Sequence, residues 1–303
     1  MQVRVLGSAA GGGLPQWNCS CRNCSRARKG DSSVKRRTQA QVAWTAISGQ
    51  WTLLNASPDL RAQIEEAPEL WPRGEGRHSP ITDIILTGAE VDQILGLLLL
   101  REFHSYRVHA TGAVHRILTE DNSVFGVLAR ITEQVRWHDI PVDDAFTAGG
   151  ARVEALPLAG RFPRFVSASR VSELNPAEAA LGFLVSTESG GGALAFLLNS
   201  GPVSDALLER LQDYDVVFFD GTFWTDEEPL RIPGVNRSAR QMGHLPISGA
   251  GGSLERFNRL GRQRKIYIHI NNTNPILDEE SPENRIVRES GWEVAWDGME
   301  IAL

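Results

Sequence analysis

Two short stretches of the chain concentrate the side chains that can do chemistry. Asn18-Cys19-Ser20-Cys21-Arg22-Asn23-Cys24 holds all three cysteines within six positions. Neighbours that close suit a metal better than a disulfide framework. Three thiolates can wrap one soft cation, and a closed zinc site takes a fourth ligand, which must come from elsewhere in the chain. The second stretch is Thr87-Gly88-Ala89-Glu90-Val91-Asp92-Gln93. Here a strand is expected to end at Thr87, and a turn to present Glu90, Asp92 and Gln93 before a helix begins. Three oxygen-bearing side chains on such a turn, Glu90, Asp92 and Gln93, can converge on a hard cation, or on Fe(II) or Mn(II) if a histidine joins them. Acids in a first helical turn also oppose the helix dipole, and spacing alone favours that plainer role.

Of seven histidines, His78, His104, His109, His115 and His138 lie in ordinary contexts and read as surface or satisfied core residues. Two stand apart. His269 follows an apolar strand and opens His269-Ile270-Asn271-Asn272-Thr273-Asn274-Pro275, a strand-end turn of the kind that often carries function. His244 sits in Met242-Gly243-His244-Leu245-Pro246, after a charged loop and before glycines. Asp220 ends another strand, in Asp220-Gly221-Thr222; it reads equally as a substrate-side acid and as a turn residue bonding its own backbone. Arg61 and Arg101 are candidates to pair substrate carboxylates. Gly7-Ser8-Ala9-Ala10-Gly11-Gly12-Gly13 has no Gly-Lys-Ser/Thr and is followed by Pro15, so it fits close backbone passage better than a phosphate loop.

The elements that must position these groups alternate between β-type and helical patterns. Strands are expected at residues 3–6, 41–44, 51–54, 82–86, 153–156, 182–186, 194–197, 216–219 and 265–270. Helices are expected at 92–101, 204–212, 252–260 and 282–289, with Ser57-Pro58 and Ser281-Pro282 as helix starts. Residues 293–296 and 299–303 resemble a closing hairpin with Asp297-Gly298 at its turn. Strands outnumber helices early and late, which favours two mixed sheets packed face to face with helices outside over a simple doubly wound sheet.

Composition narrows the partners. The formal net charge is −6, so no basic excess exists to release counterions from a nucleic acid. No stretch approaches the roughly 18 apolar residues of a membrane span, and the first residues carry no signal-peptide core, so the expected compartment is the cytoplasm. The whole length, 1–303, reads as one domain with a Cys-rich loop at 18–24.

Taken together, these segments resemble the pyrroloquinoline quinone (PQQ) biosynthesis protein B family of the metallo-β-lactamase superfamily. The resemblance is carried by Gly7-Ser8-Ala9-Ala10-Gly11-Gly12-Gly13, Pro15-Gln16-Trp17-Asn18-Cys19, Asn55-Ala56-Ser57-Pro58-Asp59, Phe219-Asp220-Gly221-Thr222, Met242-Gly243-His244 and residues 269–278, and it runs to Asp297-Gly298. It implies an α/β fold, the four-layer αβ/βα sandwich. It also implies a structural zinc on Cys19, Cys21 and Cys24, with Asn272 at the position where related phosphodiesterases place a fourth ligand.

The superfamily's hydrolases carry a Thr-His-x-His-x-Asp-His turn, which aligns with residues 87–93. Gly88, Glu90 and Gln93 then stand at histidine positions, Gly160 at a further one, and Asn199 near the bridging aspartate. Asp92, His244 and His269 survive. A two-zinc hydroxide site needs a ring of imidazoles and a bridging carboxylate, so ordinary hydrolysis is disfavoured.

The family resemblance implies instead an Fe²⁺- and O₂-dependent hydroxylase acting on a tyrosine-derived intermediate of a Glu–Tyr peptide precursor, with Glu90, Asp92, Gln93 and His269 around the metal and His244 as an acid–base group. Other proteins of the PQQ pathway are possible partners. Gln93 stands where the family usually has histidine, and that departure supports the alternative of a non-catalytic carrier for PQQ or its precursor on the way to the periplasm.

Overall fold

The computed structural model describes residues 1–142, 144–187, 190–198 and 201–303. It forms two compact units, each assembled from separated stretches: Met1–Leu6, Gln41–Gly192 and Gly298–Leu303 make the first, Gly7–Ala40 and Ala193–Asp297 the second.

The first unit begins with β1 (Gln2–Gly7), β2 (Gln41–Ile47), β3 (Gln50–Leu54), β4 (Ile81–Ile85), β5 (Tyr106–Ala110) and β6 (Val135–Asp139). It continues with β7 (Ala145–Ala148), β8 (Ala151–Pro157) and β9 (Leu181–Ser186). The second unit contributes β10 (Ala193–Leu197), β11 (Val216–Asp220), β12 (Arg264–Ile268) and β13 (Trp292–Val294), and β14 (Glu300–Ala302) returns to the first. Two mixed sheets result. One runs β14-β1-β2-β3-β4-β5-β6, antiparallel at β1–β14 and β2–β3 and parallel from β3 to β6. The other is antiparallel across β7, β8 and β9 and parallel across β10, β11, β12 and β13.

Strand periodicity explains how the first sheet is buried. Ala43, Leu53, Ile84, Val108 and Ala110 join one apolar cluster with Ala113, Val114, Ile117 and Leu118 of the helix Gly112–Thr119. Alternation turns Asp83 to the opposite face of β4 from Ile84. There the β4–β5 register sets Asp83 beside Arg107. Arg107 donates to both carboxylate oxygens, at 2.7 and 2.6 Å, and His109 Nε2 lies 2.8 Å from Oδ1. Burial opposes ionisation of Asp83, but the hydrogen bonds from His109 and Arg107 outweigh it and hold the carboxyl well below its usual range.

In the second unit, the parallel β11–β12 register pairs Asp220 with Ile268, the last residue of β12. This sets the two strand ends that carry Asp220 and His269 side by side. The helix Pro282–Glu289 starts as expected, with Ser281 Oγ accepting the Asn284 N–H at 3.0 Å.

Three expectations need correction. The closing hairpin does not exist: β13 pairs in parallel with β12, while β14 pairs antiparallel with β1 in the other sheet. Asp297 is not a free turn residue, because its carboxylate accepts from Ser8 Oγ and from both donors of Thr38. Residues 92–101 are not one helix. They form a short α-helix, Val91–Ile94, followed by a 3₁₀ segment, Leu95–Leu100, because Ala56 binds backbone on both sides of the junction, donating to the Gln93 carbonyl and accepting from the Gly96 N–H. The cysteines do not all lie in a loop, since Cys21 caps a helix, Arg22–Arg28, that contains Cys24. Among the described residues, no helix is long and apolar enough to cross a membrane.

A carboxylate with a depressed folded pKa stabilises the fold above its unfolded value, near 4, and that contribution is lost as pH falls through the folded value. Asp83→Asn is therefore expected to cost about 2 kcal/mol at neutral pH, since it weakens a buried charged pairing. Its stability should also fall less steeply than wild type below about pH 4. Urea unfolding at a series of pH values checks both.

Candidate functional site

The densest polar constellation of the second unit is built around one carboxylate. Asp220, the last residue of β11, has no solvent exposure. Its Oδ1 accepts from the backbone N–H of Thr222 at 3.0 Å and from the Thr222 hydroxyl. Its Oδ2 lies 2.6 Å from His244 Nδ1. His244 follows a short helix, Ala239–Met242, that ends on the left-handed Gly243, so the chain turns sharply and delivers the imidazole to Asp220. His269 follows β12 and itself adopts a left-handed backbone, φ +59°, which is uncommon for a residue with a side chain. Its Nδ1 is 2.9 Å from Thr222 Oγ1, and the His244 and His269 rings stack with centroids 6.0 Å apart. Burial opposes the charge on Asp220, but His244 and His269 together hold its carboxyl far below the usual range.

Asp220, His244 and His269 can each place one ligand atom within 4.8 Å of the others. Both oxygens of Asp220 are already engaged by protein donors, so Asp220 orients the imidazoles rather than facing a substrate. Its expected substrate-side place is corrected accordingly.

The turn after His269 links this constellation to the cysteines. Asn23 Nδ2 donates to the carbonyls of Asn272 and Asn274, at 3.0 and 2.9 Å. Asn274 Nδ2 donates to the Gly221 carbonyl at 2.9 Å, and the Thr273 hydroxyl donates to Glu228 at 2.6 Å. The other oxygen of Glu228 accepts the Trp224 N–H.

This scaffold aims the Asn272 amide at Cys19, Cys21 and Cys24, with Nδ2 at 3.1, 3.5 and 3.3 Å from the three sulfurs. The sulfurs lie within 4.8 Å of one another. Burial pushes the Cys24 thiol up to about 11, whereas at Cys19 hydrogen bonds from Cys21, Cys24 and Asn272 outweigh burial and lower it. Three sulfurs around one point, with an amide beside them whose oxygen and nitrogen can exchange places, fit a zinc ion of the closed structural type.

The carboxylate turn belongs to the first unit. Asn55 Oδ1 accepts from the N–H and hydroxyl of Thr87, both at 2.9 Å, and so fixes where β4 gives way to the turn. Glu90 is exposed, Asp92 half-buried and Gln93 buried. The Gln93 side-chain oxygen accepts the Glu90 N–H at 3.2 Å as part of a capping box. Gln93, expected as a ligand, is thus employed in holding the turn.

The two glycines that the resemblance sets at histidine positions are packed against protein. A Cβ on Gly88 would stand 2.8 Å from Gln93 Oε1 and 3.0 Å from the Ala179 carbonyl; one on Gly160 would stand 2.1 Å from the Ala180 Cβ. Asn199 lies outside the described residues. Arg61 is exposed, and Arg101 donates to the Leu98 carbonyl and pairs with Glu102.

Thr222, Asn274, Glu228 and Asn55 were not singled out from sequence as functional. Thr222, Asn274 and Asn55 lie inside strings that carry the resemblance, and Asn55 and Thr222 are one and two residues past a strand end, whereas Asn274 and Glu228 lie six and eight residues past theirs.

A double-sheeted α/β chain with imidazoles, carboxylates and a thiol cluster at its strand ends is a protein of the β-lactamase superfamily: the family described as "Beta-lactamase superfamily domain" matches residues 50–270, and the fold is the metallo-β-lactamase fold. Within it, the chain belongs to the coenzyme PQQ synthesis protein B family. It is 41% identical to that protein of Rhizobium meliloti (strain 1021), over all of this chain and 98% of the relative. It is 40% identical to that of Methylobacterium sp. (strain 4-46), over the full length of both. Among solved structures, the Zn²⁺-bound PqqB of Methylobacterium extorquens superposes with a TM-score of 0.90 at 36% identity, covering both chains completely.

Elemental analysis tests the cysteine site. One zinc per chain is expected to resist a chelator in the wild type and to be lost in Cys24→Ser. Asn272→Ala should retain it more weakly, by roughly ten-fold or more in affinity if the amide supports the site.

Proposed function

We propose that this protein serves PQQ synthesis as a metal- and O₂-dependent hydroxylase of a tyrosine-derived intermediate. The observation that carries the reading is the packing at Gly88 and Gly160. At two positions where the resemblance sets metal-binding histidines of superfamily hydrolases, this chain has glycine: a Cβ on Gly160 would meet the Ala180 Cβ at 2.1 Å, and one on Gly88 would crowd the Gln93 amide and the Ala179 carbonyl. A two-metal hydrolytic centre needs those donors. The kind of donor set that the family resemblance assigns, imidazole and carboxylate in place of a ring of histidines, suits one Fe(II) with positions left open.

The iron, when bound, would supply O₂ activation; the chain's own groups do the rest. His269 is held in a fixed orientation by Thr222 and by its left-handed backbone. His244, held by Asp220, is placed to give or take a proton at the nitrogen that does not face the carboxylate. The zinc assigned to the cysteines stays structural and anchors the turn that begins at His269.

The capping role of Gln93 favours a second reading. With that amide committed to the Glu90 N–H, one expected donor is withdrawn from the metal, and a weaker metal site would suit a carrier of PQQ or its precursor.

Anaerobic iron loading separates the two. A hydroxylase is expected to take up one labile iron beside the chelator-resistant zinc and to consume O₂ with the intermediate. Asp92→Ala and His269→Ala should each abolish that turnover while leaving the zinc in place. Zinc alone, with binding of the pathway compound but no O₂ uptake, would establish the carrier.

A further inference from the structure

The first unit holds a cavity of about 530 Å³ at the end of its sheet where β4 and β5 begin. Its walls include Ile64 of the helix Leu60–Glu65, Leu70, Ile81, Leu99 and Tyr106. Ile81 opens β4 and Tyr106 opens β5. The carboxylate turn follows the other end of β4, and a strand's rise sets Thr87 about 20 Å from Ile81. The cavity is therefore separate from Glu90, Asp92 and Gln93. Its size is that of an ordinary small-molecule pocket.

Tyr106 gives the cavity its chemistry. Alternation along β5 puts Tyr106, Val108 and Ala110 on the face that joins the apolar core. Tyr106 is 3% exposed, and its hydroxyl has no hydrogen-bond partner among the described residues. A buried hydroxyl left unpaired is costly, and few native proteins keep one without a reason. Burial also pushes this phenol above its usual range, so at neutral pH it keeps its hydrogen and can donate as well as accept. The His104 ring lies close to parallel with the Tyr106 ring, at 21° with centroids 6.5 Å apart, and His104 Nε2 is 2.9 Å from the Ile81 carbonyl. Two rings so arranged along one wall favour a flat, aromatic guest.

Charge at the cavity narrows the guest further. Glu65 and Glu102 stand against Arg77, and Arg77 is already engaged: it lies 3.5 Å from Glu102 and over the Phe103 ring at 5.3 Å. Neither sign is left in clear excess to select an ion. We propose that this cavity binds a neutral aromatic molecule of one or two rings bearing a single hydrogen-bonding group, with the rings among Ile64, Leu70, Ile81 and Leu99 and the polar group paired with the Tyr106 hydroxyl. The site uses no metal and does not depend on the hydroxylase reading.

The probe is 2-naphthol, titrated into the full-length ¹⁵N-labelled protein and followed by amide spectra. Saturable shifts are expected at residues 64–81 and 99–106 and not at 87–93, with a Kd below about 1 mM. Tyr106→Phe keeps the ring and removes only the hydroxyl, so it should weaken 2-naphthol by roughly 3- to 10-fold. It should not lower the melting temperature of the protein without the probe, because no internal hydrogen bond is lost. Leu99→Trp, at a position 39% exposed, fills the cavity and should abolish binding. Absence of saturation, shifts centred on other residues, or undiminished affinity in Tyr106→Phe each overturns the proposal. A lowered melting temperature in Tyr106→Phe also overturns it, since the hydroxyl would then already be satisfied. Tyr106→Phe decides the matter even if Leu99→Trp fails to fold.

Discussion

A carboxylate removed from water must receive all its hydrogen bonds from the protein, and Asp220 meets that demand with Thr222 on one oxygen and His244 on the other. Much of the local architecture follows from it. The β11–β12 register brings the two strand ends together, Gly243 reverses the chain so that His244 can reach, and the turn of residues 271–274 holds the Gly221 carbonyl through Asn274. Remove the charge, and His244 loses the carboxylate that holds its ring, while Thr222 loses its charged partner beside His269.

The thiol cluster is connected to this centre through a very short path. Asn272, which faces the sulfurs, is three residues from His269, and the same turn is clamped by Asn23 from the cysteine-bearing helix. A cation on the thiols would therefore stiffen the backbone that carries the imidazole. A metal held there would support the turn that carries His269 without itself touching a substrate.

In the first unit, the two positions that the resemblance aligns with hydrolase histidines are glycines packed against backbone and side chains. Gly88 lies against Ala179 and Gly160 against Ala180, and backbone bonds close the region, with Leu181 N–H donating to the Thr87 carbonyl and Leu158 N–H to the Ala180 carbonyl. The fold is retained while the donors are rewritten, which is why superfamily membership by itself does not name a reaction.

The sequence by itself determined the fold class, the thiol cluster and the interest of Asp220, His244 and His269, because each is signalled locally. Short strands bounded by turns show as alternation, cysteines three residues apart stand out by rarity, and polar residues at strand ends stand out by position. It missed β5, β6 and the helix Gly112–Thr119, whose polar residues, among them Arg107, His109 and Trp137, blur the period; those polar groups are paid for by partners elsewhere, Asp83 for His109 and His115 for Trp137. Only the tertiary structure decided that residues 293–296 and 299–303 part for different sheets, that Gln93 caps a turn, that Asp220 orients instead of touching substrate, and that Thr222 bridges it to His269. Apart from the Gln93 cap, which is local, those outcomes turn on pairings between residues tens to hundreds of positions apart, and no local pattern encodes which of several possible partners a buried donor will meet.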